Sequence, residues 1–230
     1  MMQAADISVS YGAGPIVSHV SFTVNADDKL IILGRNGVGK TTLLKGIMGI
    51  LPIKGTLTFK DTDITNYSAS KRSRSGIAYV PQGREIFPDL TVEENLQIGA
   101  MSHPVDFKNK LAEVLEYFPI LTEHMKRKGG VLSGGQQQQL AIARAFISEP
   151  AVLMLDEPTE GIQPNIVSHI SHILTRYHEE KHIPLIVVEQ NLKFARKLGN
   201  KFLIIQKGTI VESGPIEKLT DEVSIAYLSV

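Results

Sequence analysis

Apolar positions near the start of the chain follow a period of two. Ile7, Val9 and Tyr11 alternate with polar neighbours, Gly12-Ala13-Gly14-Pro15 supplies a turn, and Val20, Phe22 and Val24 resume the alternation, which predicts a β meander. The pattern then changes. Leu30-Ile31-Ile32-Leu33 is a short unbroken apolar run ending at a glycine, as expected of a strand buried on both faces of a parallel sheet. The helix predicted to follow turns Leu43, Leu44, Ile47 and Met48 inward. Further parallel strands are predicted at Ile77–Val80, 151–155 and 185–188, separated by segments long enough for crossover helices. Ile166, Ile170, Ile173, Leu174 and Tyr177 mark one such helix. From about 87 to 147 the apolar positions Leu111, Val114, Leu115 and Phe118 repeat like helices packed on helices, which predicts an inserted helical lobe. Thr91-Val92-Glu93-Glu94 has capping-box spacing, so a helix starts there. Residues 202–205, a Lys207-Gly208 turn and residues 209–212 predict two closing strands before a mixed tail.

Composition narrows the function. A chain of 230 residues with 43% apolar content buries a real core. Its 24 basic and 24 acidic residues cancel, so no long-range field favours nucleic acid. Cysteine is absent, which excludes disulfides, thiolate metal sites and cysteine catalysis, and fits the cytoplasm. The start lacks a basic region followed by an apolar run, and no stretch reaches the roughly 18 apolar residues of a spanning helix, so any membrane role runs through a partner.

Two motifs carry chemistry. Gly34-Arg35-Asn36-Gly37-Val38-Gly39-Lys40-Thr41-Thr42 follows a buried strand and opens a helix, the context of a nucleotide phosphate loop rather than of an ordinary glycine-rich turn. Its glycines let amide N–H groups converge on phosphate, Lys40 neutralises β/γ oxygens and Thr41 offers a hydroxyl to Mg2+. Val152-Leu153-Met154-Leu155-Asp156-Glu157 delivers two carboxylates at a strand end, where ligands sit in open α/β sheets. There Asp156 would hold Mg2+ through water and Glu157 would orient the attacking water. Away from a phosphate loop the same pair would read as a polar loop opening.

Leu132-Ser133-Gly134-Gly135-Gln136 resembles the ABC ATPase signature, although Ser133 with Gln136 is also a plain capping box. The resemblance spans nearly the whole chain. It implies one ABC ATPase domain over 1–230: a P-loop α/β core with a mostly parallel sheet and an N-terminal antiparallel β subdomain (about 1–86 and 148–230), and an inserted helical subdomain (about 87–147). It implies that Ser133, Gly134, Gly135 and Gln136 face the γ-phosphate held by an opposing subunit, so that ATP joins two chains, identical or different. Gln82, after Ala78-Tyr79-Val80-Pro81, matches the family's glutamine that reaches Mg2+ and links core to lobe. Tyr11 matches an aromatic stacked on adenine, a contact worth about 1–3 kcal/mol; a strand-core tyrosine is the competing reading. Two positions depart from the family. Gln163 stands where many relatives have an aspartate, and Gln190 where most have a histidine. An amide donates a hydrogen bond but never becomes cationic, so Gln190 is expected to position and sense while Glu157 remains the main catalytic carboxylate.

Below family level, Tyr79-Val80-Pro81-Gln82-Gly83-Arg84-Glu85-Ile86-Phe87-Pro88 and Leu90-Thr91-Val92-Glu93-Glu94-Asn95-Leu96 are similar to ATPases of branched-chain amino-acid and urea importers. The runs 34–40, 136–140 and 160–164 are more similar to the urea branch. The implied function is ATP-driven uptake of urea or short-chain amides, with branched-chain amino acids as the alternative. Membrane permease subunits and, indirectly, a substrate-binding protein are the implied partners, with the chain on the inner face of the plasma membrane. Ile86 and Phe87 would suit a groove for a cytoplasmic helix of the permease, or be buried locally. A translation or DNA-repair ATPase is disfavoured by neutral charge and by the lack of paired domains or coiled-coil arms. An idle regulatory ATP-binding module remains a rival because of Gln163 and Gln190.

Overall fold

The computed structural model describes residues 1–12, 14–102 and 105–228. Alternation in the opening segment produces the antiparallel pair β1 (Met2–Ser10) and β2 (Pro15–Val24); of the turn between them, Ala13 lies outside the described residues. The unbroken apolar run becomes β3 (Lys29–Leu33), followed by α1 (Lys40–Met48), whose Leu43, Leu44, Ile47 and Met48 are all buried. Next come β4 (Ile53–Phe59), β5 (Thr62–Asp63), α2 (Ala69–Arg74) and β6 (Ile77–Val80). The helices α3 (Val92–Gly99), α4 (Phe107–Tyr117), α5 (Pro119–Thr122) and α6 (Gly134–Ile147) fill the stretch before β7 (Val152–Asp156). α7 (Pro164–Lys181), β8 (Leu185–Glu189), α8 (Leu192–Leu198), β9 (Lys201–Gln206), β10 (Thr209–Pro215) and α9 (Asp221–Leu228) complete the order.

Two sheets result. One runs β2-β1-β4-β5 and is antiparallel; the other runs β10-β9-β3-β8-β7-β6 and is parallel except for the β10 edge. β4 and β5 are not among the strands predicted from sequence. In β4 only Leu57 and Phe59 turn inward, too few for a confident alternation, and Gly55 interrupts the run. That glycine is required: at φ 95° a Cβ would fall 2.3 Å from the Asp6 carbonyl oxygen.

The central strands are buried on both faces. Ile31, Leu33, Leu153, Leu155, Leu185 and Val187 face a core shared with α3 to α8, while Leu30, Ile32, Val152, Met154, Ile186 and Val188 face α1 and the antiparallel sheet. An aromatic cluster ties α4 and α6 to α7. Phe146 stacks on Tyr177 with an interplanar angle of 16°, and Tyr117 meets both edge-on. Such pairs add about 0.5–1.5 kcal/mol beyond burial.

Arg72 of α2 secures the far end of α1. Its side chain is 2% exposed, and its guanidinium donates to Gly46 O (2.7 Å), Ile47 O (2.6 Å) and Thr65 O (2.7 Å). Two of these are carbonyls of the last turn of α1, where helix carbonyls run short of backbone donors; Gly46 O also accepts the Gly49 N–H. Arg72→Ala is expected to cost about 3 kcal/mol, at the upper end for hydrogen bonds to a charged group, read as a lowered midpoint in chemical denaturation.

Candidate functional site

Where β3 ends, the backbone turns through left-handed glycines. Gly37 has φ 78° and Gly39, the residue capping α1, has φ 106°; a Cβ on Gly39 would lie 2.8 Å from Val17 Cγ2. No side chain caps α1, so its first N–H groups are left for a ligand. Lys40 folds into this loop, donating from Nζ to Gly34 O (2.8 Å) and Arg35 O (3.0 Å), with Glu157 Oε1 at 3.3 Å. Thr42 is buried, Val38 partly so, and Arg35, Asn36 and Gly37 are exposed.

Asp156 and Glu157 emerge beside this loop because β7 and β8 are parallel neighbours in register, Asp156 opposite Val188, and Leu33 of β3 lies opposite Glu189. Asp156 accepts from Thr41 Oγ1 (3.0 Å) and from the Tyr79 hydroxyl (3.0 Å). Burial nevertheless raises its pKa above the ordinary carboxylate value, and Glu157 adds to the rise. Burial and the same aspartate push the Tyr79 phenol upward.

Glu157 adopts φ 47°, a left-handed conformation that costs a non-glycine residue about 1–2 kcal/mol. Its own N–H donates to Val188 O (2.9 Å). Its carboxylate gathers Lys40, Gln190 Nε2 (2.8 Å) and Gln82 Nε2 (3.3 Å), and Gln190 Nε2 also reaches Asn36 Oδ1 (2.6 Å). Four segments that leave adjacent strands thus converge on one point.

A family model described as ABC transporter matches residues 17–160. The chain is 35% identical over 232 residues to the high-affinity branched-chain amino acid transport ATP-binding protein BraG of Pseudomonas aeruginosa, covering 99% of each chain. The chain belongs to the ABC transporter family. It is 35% identical over 220 residues, 93% of each chain, to the probable branched-chain amino acid transport ATP-binding protein LivF of Archaeoglobus fulgidus. Among solved structures it superposes on MJ1267, an ATP-binding cassette of an ABC transporter, with TM-score 0.86 and 25% identity over 98% of this chain and 97% of that one. The fold also matches the dimeric post-hydrolysis state of the cassette MJ0796, with TM-score 0.86 and 23% identity over 94% of this chain and 99% of that one. The chain is therefore an ATP-binding subunit of an ABC transporter and an ATP hydrolase. No helix among the described residues is long and apolar enough to cross a membrane.

Not every predicted site residue of this ABC ATPase joins the cluster. Tyr11 lies just beyond β1 and is 57% exposed, which removes the strand-core reading and leaves its ring free. Ser133 caps α6 in a full capping box with Gln136, and Gln136 also bonds His124. Ser133 is exposed, and Gly134 and Gly135 are half-buried beside Arg84 and Ile166. No hydrogen bond joins 133–136 to 34–42 among the described residues. Gln82 bonds Glu160 (2.9 Å) and Glu157, not Thr41 or Asp156. Gln163 caps α7 without a side-chain bond, the position where a shorter aspartate would supply one.

The segment after Gln82 is unusual. Gly83, Arg84 and Glu85 are all left-handed, with φ 80°, 73° and 44°. Arg84 bonds Gln137 (3.1 Å), and Arg144 bonds Glu85 O (2.8 Å), so both residues are fastened to α6. Phe87 is 45% exposed under the Arg144 guanidinium, while Ile86 packs on the core. Asn95, fully buried, holds Phe87 through both its N–H and its carbonyl.

Sequence reasoning left Tyr79 and Glu189 without chemical roles, and placed Asn36 in the phosphate loop without its bond to Gln190. Neither Tyr79 nor Glu189 carries a motif of its own; only the third dimension brings them to Asp156 and Thr159.

Because burial disfavours the charged form of Asp156, Asp156→Asn should raise the melting temperature of the nucleotide-free protein. A gain of about 1 kcal/mol corresponds to roughly 2–4 °C in a chain of this size, measurable by scanning calorimetry at neutral pH.

Proposed function

We propose that this chain powers a branched-chain amino-acid importer, closing with a second ATPase subunit over MgATP and driving separate membrane subunits from their cytoplasmic face. The observation that carries the cargo is similarity to BraG and LivF along almost the full chain. Urea or a short amide, favoured by the runs 34–40, 136–140 and 160–164, is the second reading. The chain acts as one ATPase domain, with 87–147 as the helical lobe inserted in the core.

In this reading Lys40 and the N–H groups of 35–42 bind the β- and γ-phosphates, and Tyr11 stacks on adenine. Phosphate competes with Glu157 for Lys40 and so frees the Glu157 carboxylate to polarise water. Gln190 then orients the γ-phosphate and Glu157 by hydrogen bonding alone. Thr41 and Asp156 present hard oxygen donors, and the buried Asp156 carboxylate bonds only hydroxyls among the described residues, which fits Mg2+; Gln82 would complete the set by turning from Glu160. Mg2+ would neutralise charge on the phosphates. Ser133, Gly134, Gly135 and Gln136, unused in their own subunit, would serve the nucleotide of the opposing one.

For coupling, a groove of about 370 Å³ between α2 and α6, lined by Ile50, Ala69, Ile98 and Ala145, suits an amphipathic helix of the membrane subunit. The exposed Phe87 ring, held over Arg144, supports the same docking side. The substrate-binding protein is engaged only through the membrane subunits.

Two measurements check this. The complex reconstituted in proteoliposomes should take up leucine in an ATP-dependent manner; uptake of urea without leucine would reassign the cargo. Glu157→Gln should retain ATP binding while hydrolysis falls by at least about a hundredfold, and normal turnover in that variant would remove Glu157 from its role.

A further inference from the structure

Glu189 is a buried carboxylate that the chemistry above does not use. It ends β8, is 2% exposed, and forms no ion pair among the described residues. Neutral donors surround it instead. Oε1 accepts from Thr159 N–H (3.1 Å) and from the Thr159 hydroxyl (2.6 Å); Oε2 accepts from Gln190 N–H (2.9 Å) and Asn191 N–H (3.1 Å). An ionised carboxylate has room for four such donors, and bonds to a charged acceptor are the strong ones. That set of bonds opposes the burial that raises its pKa.

The four donors belong to two loops. One leaves β7 with Glu157, Thr159 and Glu160; the other leaves β8 with Gln190 and Asn191 on the way to α8. Gln190 closes the circuit by donating its side-chain amide to Glu157.

We propose that Glu189 is a positioning residue for ATP hydrolysis. By collecting Thr159, Gln190 and Asn191 on one carboxylate, it fixes the loop bearing Glu157 against the loop bearing Gln190, so that the two side chains meet the nucleotide as a preset pair. The inference rests on Glu157 and Gln190 being the hydrolytic pair. A histidine can correct a poor placement with charge, whereas an amide works only where its N–H points. Asn36 and Glu157 select the orientation of the Gln190 amide, and Glu189 holds the backbone from which it hangs. Glutamine at 189 would keep the shape but offer one acceptor oxygen, setting its NH2 against N–H donors.

The test is steady-state ATP hydrolysis by the assembled transporter carrying Glu189→Gln. The kcat is expected to fall about tenfold to a hundredfold, as for a small misplacement of reacting groups, with KM for ATP and nucleotide affinity at wild-type levels. Thr159→Val, which removes one donor and keeps the shape, should give a smaller loss and carries the test should Glu189→Gln not fold. A double-mutant cycle separates positioning from general stability. With Gln190→Ala already present, either substitution should cost a smaller fraction than in the wild type, because the part of its effect that runs through Gln190 is already gone. Unchanged kcat in both variants, or the same fractional loss with and without Gln190, would overturn the proposal. Wild-type turnover in the same assay reports on the hydrolytic reading itself, so only the ratios bear on Glu189.

Discussion

Burial of β3, β7 and β8 on both faces is the constraint from which the site follows. A polar side chain within such a strand would lose its water without gaining a partner, at a cost of several kcal/mol. Charged groups are therefore confined to the ends. Because the strands are parallel and in register, those ends coincide, and Gly34, Asp156, Glu157 and Glu189 arrive at one level. The same hydrophobic packing that stabilises the sheet thus concentrates carboxylates where, among the described residues, hydroxyls, amides, Lys40 and a helix start answer them.

That concentration has an energetic signature. Asp156 and Glu189 are both held above the normal carboxylate range by burial, and Glu157 sits in a left-handed backbone conformation. Strain and desolvation at a ligand site are offset elsewhere, here by the two-sided core and by the aromatic contacts joining α4, α6 and α7. Arg72 contributes from a distance, since it ties off the carbonyl end of the helix whose other end faces the phosphate loop.

Much of this was legible in the sequence. The central strands announce themselves as unbroken apolar runs, α7 as a helical repeat of Ile170, Ile173, Leu174 and Tyr177, and α3 by its capping box, which forms as spaced. The phosphate loop and the acidic strand could be named because local order encodes them. β4 could not, because its inward set is only Leu57 and Phe59 and its register depends on the close approach of Gly55 to Asp6. Tyr79 and Glu189 were silent for a different reason. Their meaning lies in partners 77 and 30 positions away, which no local pattern records. Gln82, expected to reach Mg2+, rests its amide on Glu157 and Glu160.

The three successive left-handed residues after Gln82 bear on how force would travel through the molecule. A slack tether absorbs displacement by rotating freely about its bonds; Arg84 and Glu85 have little such freedom, because the left-handed basin is narrow for residues with a Cβ. With both ends pinned, at Gln82 by the acidic loop and at Phe87 by Asn95, the segment behaves as a short rigid crank. A shift of Gln82 would on this geometry be handed on to α6 and the Phe87 ring rather than dissipated in the loop.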